Sequence, residues 1–147
     1  ADFKTFFHGH SYTGNPLGCA VALANIEIFQ KEKTLAKLQP KIKTMARLLQ
    51  PLRQLPHVGE IRQQGFIVAI ELVANKQTKK PYLLEARIGH KVAMDARNRG
   101  LLLRPIGNVI VLMPPLSTSL PELKRMVEIL REAIEAVTLL PAAGAGS

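Results

Sequence analysis

The sequence predicts an α+β fold from residue 34 onward, a small mixed or antiparallel sheet with helices on one side, preceded by an arm belonging to something larger. Three observations carry this. Residues 60–73 and 101–113 are rich in Ile, Val and Leu and are punctuated by Gly and Pro, as strands are. Apolar residues recur at helical spacing over 42–52, 84–96 and 123–137. Residues 17–29 are apolar nearly all round, broken only by Asn25 and Glu27, which describes a helix buried on most sides and in need of protein on more than one face.

Asn15-Pro16 opens the first helix. Asn is a favoured N-cap, and proline at the first helical position loses only an N–H that has no intrahelical partner. The polar run Gln30-Lys31-Glu32-Lys33 ends the apolar stretch. Pro40 is expected to start the next helix, because an interior proline costs about 3 kcal/mol. Ile42, Met45, Leu49 and Leu52 then mark its core stripe, and Pro51 and Pro56 fray its end. Residues 60–73 read as a strand region with a bulge or bend at Gly65, and 75–81 as a basic loop. Leu84, Ile88, Val92 and Ala96 line an amphipathic helix that stops at Gly100, a natural residue for the position after the C-cap. Two short strands, 101–104 and 108–113, flank a turn at Pro105-Ile106-Gly107, and Pro114-Pro115 ends the pairing. Ser119-Leu120-Pro121-Glu122 has capping-box spacing ahead of a last helix with Leu123, Val127, Leu130, Ile134 and Val137 inward. The small residues of 141–147 read as a disordered tail.

The chain has 147 residues, 47% hydrophobic and 21% charged, enough for one domain with a core plus an extension. No apolar run approaches the roughly 18–20 residues of a membrane helix. The N-terminus shows no signal peptide, lacks an initiator Met and begins inside what reads as a loop, so truncation is expected. The single Cys19 excludes an internal disulfide and fits a reducing, cytoplasmic setting. A net charge of +9 raises the question of nucleic acid. The cations are spread, with no block of five, and no Trp offers a stacking platform, so a solvated basic face competes with that reading.

The segment His8-Gly9-His10-Ser11-Tyr12-Thr13-Gly14-Asn15-Pro16 places small residues, hydroxyls and imidazoles directly ahead of a helix start. Small residues let a backbone approach a ligand, and hydroxyls and free N–H groups there can hold a phosphate. On residues alone a plain loop leading into a helix remains open as well. Arg104, beside a turn, reads either as a solvated strand end or as a carboxylate clamp, for which guanidinium has the matching fork. Pro105 holds Arg104 extended. His8, His10 and Cys19 do not make a metal site, since Cys19 falls in the apolar helix and no fourth ligand is near. A buried Cys19 would be inert. His57 and His90 have no companions and read as surface or helix-face residues, and Met113 as core.

The stretch from His8 to Phe29 resembles the segment that follows the active-site lysine region in class III aminotransferases, fold-type-I pyridoxal-phosphate enzymes; the Gly-Asn-Pro-Leu core is shared across the class. Its His-Gly-His-Ser-Tyr-Thr opening is similar to the branch that aminates 7-keto-8-aminopelargonate to 7,8-diaminopelargonate in biotin synthesis, with S-adenosylmethionine as the usual donor. Residues 103–115 resemble the family's strand-turn-strand, and residues 61–65 and 70–72 its small-domain strand.

The resemblance implies that residues 1–33 are the end of a large domain, carrying a phosphate loop and a linking helix. It makes 34–140 the small C-terminal α+β domain. It implies that Ser11 and His10 bind the phosphate of pyridoxal 5'-phosphate across a homodimer interface, that Gly9 approaches substrate, and that Arg104 binds the substrate carboxylate. No catalytic residue is carried over. The Schiff-base lysine is expected upstream of residue 1, Lys4 does not match its surroundings, and the chain alone is expected to be inactive. Two readings stay beside this one. The first is another class III aminotransferase, acting on ornithine, acetylornithine or an ω-amino acid. The second is a basic α+β module that binds nucleic acid, against which the apolar first helix argues.

Overall fold

Asn15 starts the first helix as its chemistry dictates. Its Oδ1 accepts from the Gly18 N–H at 3.0 Å, and Pro16 takes the first helical position. The structure, a computed structural model, describes residues 8–139, so Lys4 and the tail expected at 141–147 lie outside the described residues. The chain divides between Lys37 and Leu38 into two compact units.

In the first unit, α1 spans Pro16–Lys31. None of its residues is buried, and Leu17, Val21, Leu23, Ile26 and Ile28 are each at least half exposed. This corrects the expectation of burial. The apolar pattern records what the helix is suited to bury, which its own unit does not supply. Cys19 is exposed for the same reason.

The second helix, α2, covers Thr34–Leu48 and contains Pro40, which was expected to start it. Proline at this place leaves the Ala36 carbonyl without its donor four residues on. Ala36 and Pro40 are both exposed, so water can satisfy that carbonyl. The buried side chains of Leu38 and Met45, followed by Leu49 and Leu52, hold the remainder of the helix on the core.

The expected single strand region is a hairpin. β1 (Val58–Gln64) and β2 (Ile67–Asn75) pair antiparallel, with Gln64 opposite Ile67. Only Gly65 and Phe66 form the loop, and Gly65 has φ +57°, the positive value a primed two-residue turn needs at its first position. β4 (Val109–Leu112) runs antiparallel along the other edge of β2, and the short β3 (Lys80–Pro81) pairs with the end of β2. Residues 75–81 are thus a tight turn that returns to the sheet, with Asn75 Oδ1 accepting from the Thr78 N–H at 2.9 Å. Proline is tolerated in β3 because it lies at an edge.

Residues 101–104 form no strand. Beyond them, Ile106 bridges Val109 of β4. The segment is tied instead to the end of α3 (Ile88–Asn98). There Leu101 N–H donates to Ala96 O at 2.8 Å and Gly100 N–H to Arg97 O at 2.9 Å, the paired bonds of a Schellman cap, with Gly100 at φ +96°. The last helix, α4 (Leu120–Thr138), begins with the expected capping box between Ser119 and Glu122. The hydrogen bond that Glu122 accepts from the Ser119 backbone holds its carboxyl below the usual carboxylate range.

Val68, Ile70 and Leu72 on β2 and Ile110 and Leu112 on β4 point to one face, where they pack with Met45, Val92, Ala96, Leu123, Leu130 and Ile134 of the helices. The expected α+β architecture is therefore present, with an antiparallel sheet. Met113 follows Leu112, faces the opposite way by strand alternation, and is 68% exposed rather than core. Among the described residues, no helix is long and apolar enough to cross a membrane.

Candidate functional site

The loop ahead of α1 is held by bonds its own residues supply. Thr13 N–H donates to His10 O at 2.9 Å, and His10 N–H donates to Thr13 Oγ1 at 2.8 Å. Asn15 N–H donates to Tyr12 O at 3.1 Å, and Gly14 takes φ +73° to allow the reversal. Ser11 and Tyr12 therefore stand exposed at the tip of a closed turn. The His8 and His10 rings meet edge-on, with their Nε2 atoms 2.9 Å apart. A side chain added at Gly9 would meet nothing within 4 Å among the described residues, so packing against them does not demand glycine there. Residues 8–26 contain no carboxylate. The donors on offer are a hydroxyl, imidazoles and backbone N–H groups, a set suited to an anion. Among the described residues, no group of three or more metal-ligating side chains occurs.

Arg104 belongs to the second unit. Burial alternates along its segment: Leu101 is buried, Leu103 packs on the core, and Leu102, Arg104 and Ile106 are exposed. Arg104 thus lies between two exposed aliphatic side chains. It lines a cavity of about 270 Å³ with Leu102, Met113 and Met126. Arg62, Arg99 and Arg131 are each engaged by carboxylates: Glu60 and Glu71, Asp95 and Glu132, and Glu135 respectively. Among the described residues no carboxylate forms an ion pair with Arg104.

Four hydrogen bonds fix the turn beyond it. Ile106 and Val109 exchange both backbone hydrogen bonds, and Gly107 between them has φ +57°. Asn108 Nδ2 donates to Tyr82 O at 2.8 Å, while Asn108 O accepts from Leu72 N–H at 2.9 Å. Tyr82 in turn reaches His57: its hydroxyl lies 2.7 Å from Nδ1, which is also 3.0 Å from Val73 O. His57 thus has companions, contrary to the sequence reading. They come from residues 16 and 25 positions away, a separation that local pattern does not report. Burial pushes the Tyr82 hydroxyl above its ordinary pKa. His90 is exposed, as expected. It lines a cavity of about 600 Å³ with Arg87, Pro105, Gly107 and Asn108, on which sequence reasoning was silent. Nothing in local periodicity could have placed the start of α3 against the Gly107 turn.

The family model of class-III aminotransferases matches residues 1–134. The chain is 56% identical over 138 residues to the adenosylmethionine-8-amino-7-oxononanoate aminotransferase of Nitratidesulfovibrio vulgaris, covering 94% of this chain and 26% of that protein. The crystal structure of the adenosylmethionine-8-amino-7-oxononanoate aminotransferase of Methanocaldococcus jannaschii superposes with a TM-score of 0.86 at 47% identity, over 92% of this chain and 31% of the other. A PMP-bound aminotransferase from Vibrio fluvialis gives a TM-score of 0.85 at 29% identity, over 94% of this chain and 30% of the other. The chain spans a quarter to a third of the length of these relatives. By this match over most of its length, the chain belongs to the class-III aminotransferase family.

Proposed function

We propose that this chain is the C-terminal part of a pyridoxal-phosphate aminotransferase that converts 7-keto-8-aminopelargonate to 7,8-diaminopelargonate, in the cytoplasm and as a homodimer. The observation that carries the reading within this chain is the setting of Arg104: an exposed guanidinium with no carboxylate partner among the described residues, between the exposed Leu102 and Ile106. A keto acid with a long methylene chain presents what that surface lacks, a carboxylate for the fork and hydrocarbon for the aliphatic neighbours. The names and identities of the relatives support the same substrate.

In this reading residues 1–33 close the large domain and 34–140 form the small domain. Ser11 donates its hydroxyl, and His10 an imidazole N–H, to the cofactor phosphate of the neighbouring subunit. The loop fits that group, since its donors are exposed and residues 8–26 carry no carboxylate. Gly9, where a side chain would meet nothing within 4 Å among the described residues, leaves room for substrate. When bound, pyridoxal phosphate supplies the electron sink for amino transfer. The chain's own residues bind and orient: Ser11 and His10 the phosphate, Arg104 the carboxylate. The lysine that carries the cofactor belongs to the upstream part of the enzyme.

The test is turnover of 7-keto-8-aminopelargonate by the full-length enzyme with S-adenosylmethionine and a panel of other amino donors. Formation of 7,8-diaminopelargonate supports the reading. Turnover of acetylornithine, ornithine or ω-amino acids without it would reassign the chain to another branch of the family.

A further inference from the structure

The turn that follows Arg104 is clamped by groups the proposed chemistry does not use. Asn108 Nδ2 donates to Tyr82 O at 2.8 Å, and Tyr82 OH sits 2.7 Å from His57 Nδ1, itself 3.0 Å from Val73 O on β2. On the other side the first turn of α3 lies flush against the same loop: a Cβ on Gly89 would stand 2.2 Å from the Gly107 carbonyl oxygen and 3.2 Å from Pro105 Cβ. No backbone oxygen tolerates that distance, so an alanine there must displace the turn or the helix. The Ile106–Val109 bridge fixes the turn's internal shape, while Asn108 and Gly89 fix where it stands. Arg104 lies two residues before that bridge, joined through Pro105, whose locked φ transmits a shift of the turn to the arginine backbone.

We propose that Asn108 and Gly89 are positioning residues for Arg104, and through it set the affinity for the carboxylate substrate. The inference rests on the reading of Arg104 as the carboxylate clamp. A bidentate pair needs its planar fork aimed, so a displacement of a fraction of an ångström weakens it without touching the cofactor. Asn108→Asp keeps the size and the backbone bond to Leu72 but replaces the donor to Tyr82 O with an acceptor. Gly89→Ala adds one methyl against Gly107.

The experiment is steady-state kinetics of the full-length holoenzyme with the keto acid varied, for each variant alone and combined with Arg104→Ala, with melting temperatures recorded. Each variant is expected to raise the keto-acid KM about three- to tenfold, which for Asn108→Asp is the range of one lost hydrogen bond. Their kcat and cofactor affinity should stay within about twofold, and their effect on KM should vanish when Arg104 is absent. Should one variant fail to fold, the other carries the test. An unchanged KM in a folded variant overturns the inference, as does an effect of the same size without Arg104, which would mean a merely structural role. If Arg104→Ala itself leaves the keto-acid KM unchanged, the clamp reading falls and the inference with it. If Arg104→Ala acts and Asn108→Asp and Gly89→Ala do not, only the inference falls.

Discussion

Ile106 and Val109 exchange both of their backbone hydrogen bonds, at 2.8 and 2.9 Å, closing a two-residue turn two positions after Arg104. The turn depends on Gly107 at φ +57°. A β-branched residue there is strained in the left-handed region by roughly 1–2 kcal/mol. Gly107→Val should therefore lower stability by about that amount, measured by denaturant titration, and should also weaken keto-acid binding. A variant as stable and as active as the parent would count against the turn's role.

The loop ahead of α1 makes a separate claim. Ser11 stands exposed at the tip of the His10–Thr13 turn. Loss of one hydrogen bond to a charged acceptor costs about 1.5–3 kcal/mol. Ser11→Ala should thus loosen the cofactor by roughly tenfold or more in Kd while the keto-acid KM moves little. Equilibrium titration of the apoenzyme with the cofactor reads this directly. Unaltered affinity would remove Ser11 from the phosphate site.

A third prediction concerns acid. The Glu122 carboxyl titrates below its ordinary range because Ser119 donates to it. A depressed folded-state value means that its contribution is present above the unfolded carboxylate pKa, about 4.3, and is lost as pH falls through the lower folded value. Glu122→Gln should accordingly flatten part of the pH dependence of the melting temperature below about pH 4.5 and leave its shape near neutrality unchanged. Ser119→Ala should cost about 1 kcal/mol at neutral pH through loss of the cap. Thermal melts of both variants from acid to neutral pH check the pair.

Much of this architecture is local chemistry and was legible. Asn15-Pro16, Gly100 and Ser119–Glu122 each act within one helical turn, and each forms the cap its residues imply. The apolar stripes of α4 and, from Ile88 onward, of α3 needed only periodicity. Leu84, expected to begin the α3 stripe, is instead exposed in a separate 3-10 turn, cut off from the helix by the left-handed backbone of Arg87. What the sequence hid depends on distant partners. Pro40 sits inside α2 because a core stripe on both sides of it outweighs one missing bond. His57 finds Tyr82 across 25 residues. Met113 faces outward because Leu112, one position earlier, takes the core side. Of the candidate site, the loop residues and Arg104 were recognisable from resemblance. The contacts that fix the Arg104 turn, through Asn108 and Gly89, required coordinates.

The apolar surface of α1 gives a fourth prediction. Leu17, Val21, Leu23, Ile26 and Ile28 are exposed on α1, and a helix with this much exposed apolar surface associates in water. The 147-residue chain expressed alone should self-associate and bind a hydrophobic dye, and Leu23→Glu with Ile26→Glu should reduce both. In the full-length enzyme the same two changes should instead destabilise, by several kcal/mol, if the helix is covered there. Sedimentation and dye fluorescence of the chain, beside melts of the enzyme, separate the outcomes.

Whether Arg104 meets the substrate carboxylate is read from the keto-acid KM and the cofactor Kd of full-length Arg104→Ala. Loss of a charge-assisted, two-point contact should raise the keto-acid KM by about ten- to a hundredfold, with partial recovery in Arg104→Lys, while cofactor affinity stays within about twofold. A KM equal to that of the parent, or a loss of cofactor affinity as large as the change in KM, would contradict the account.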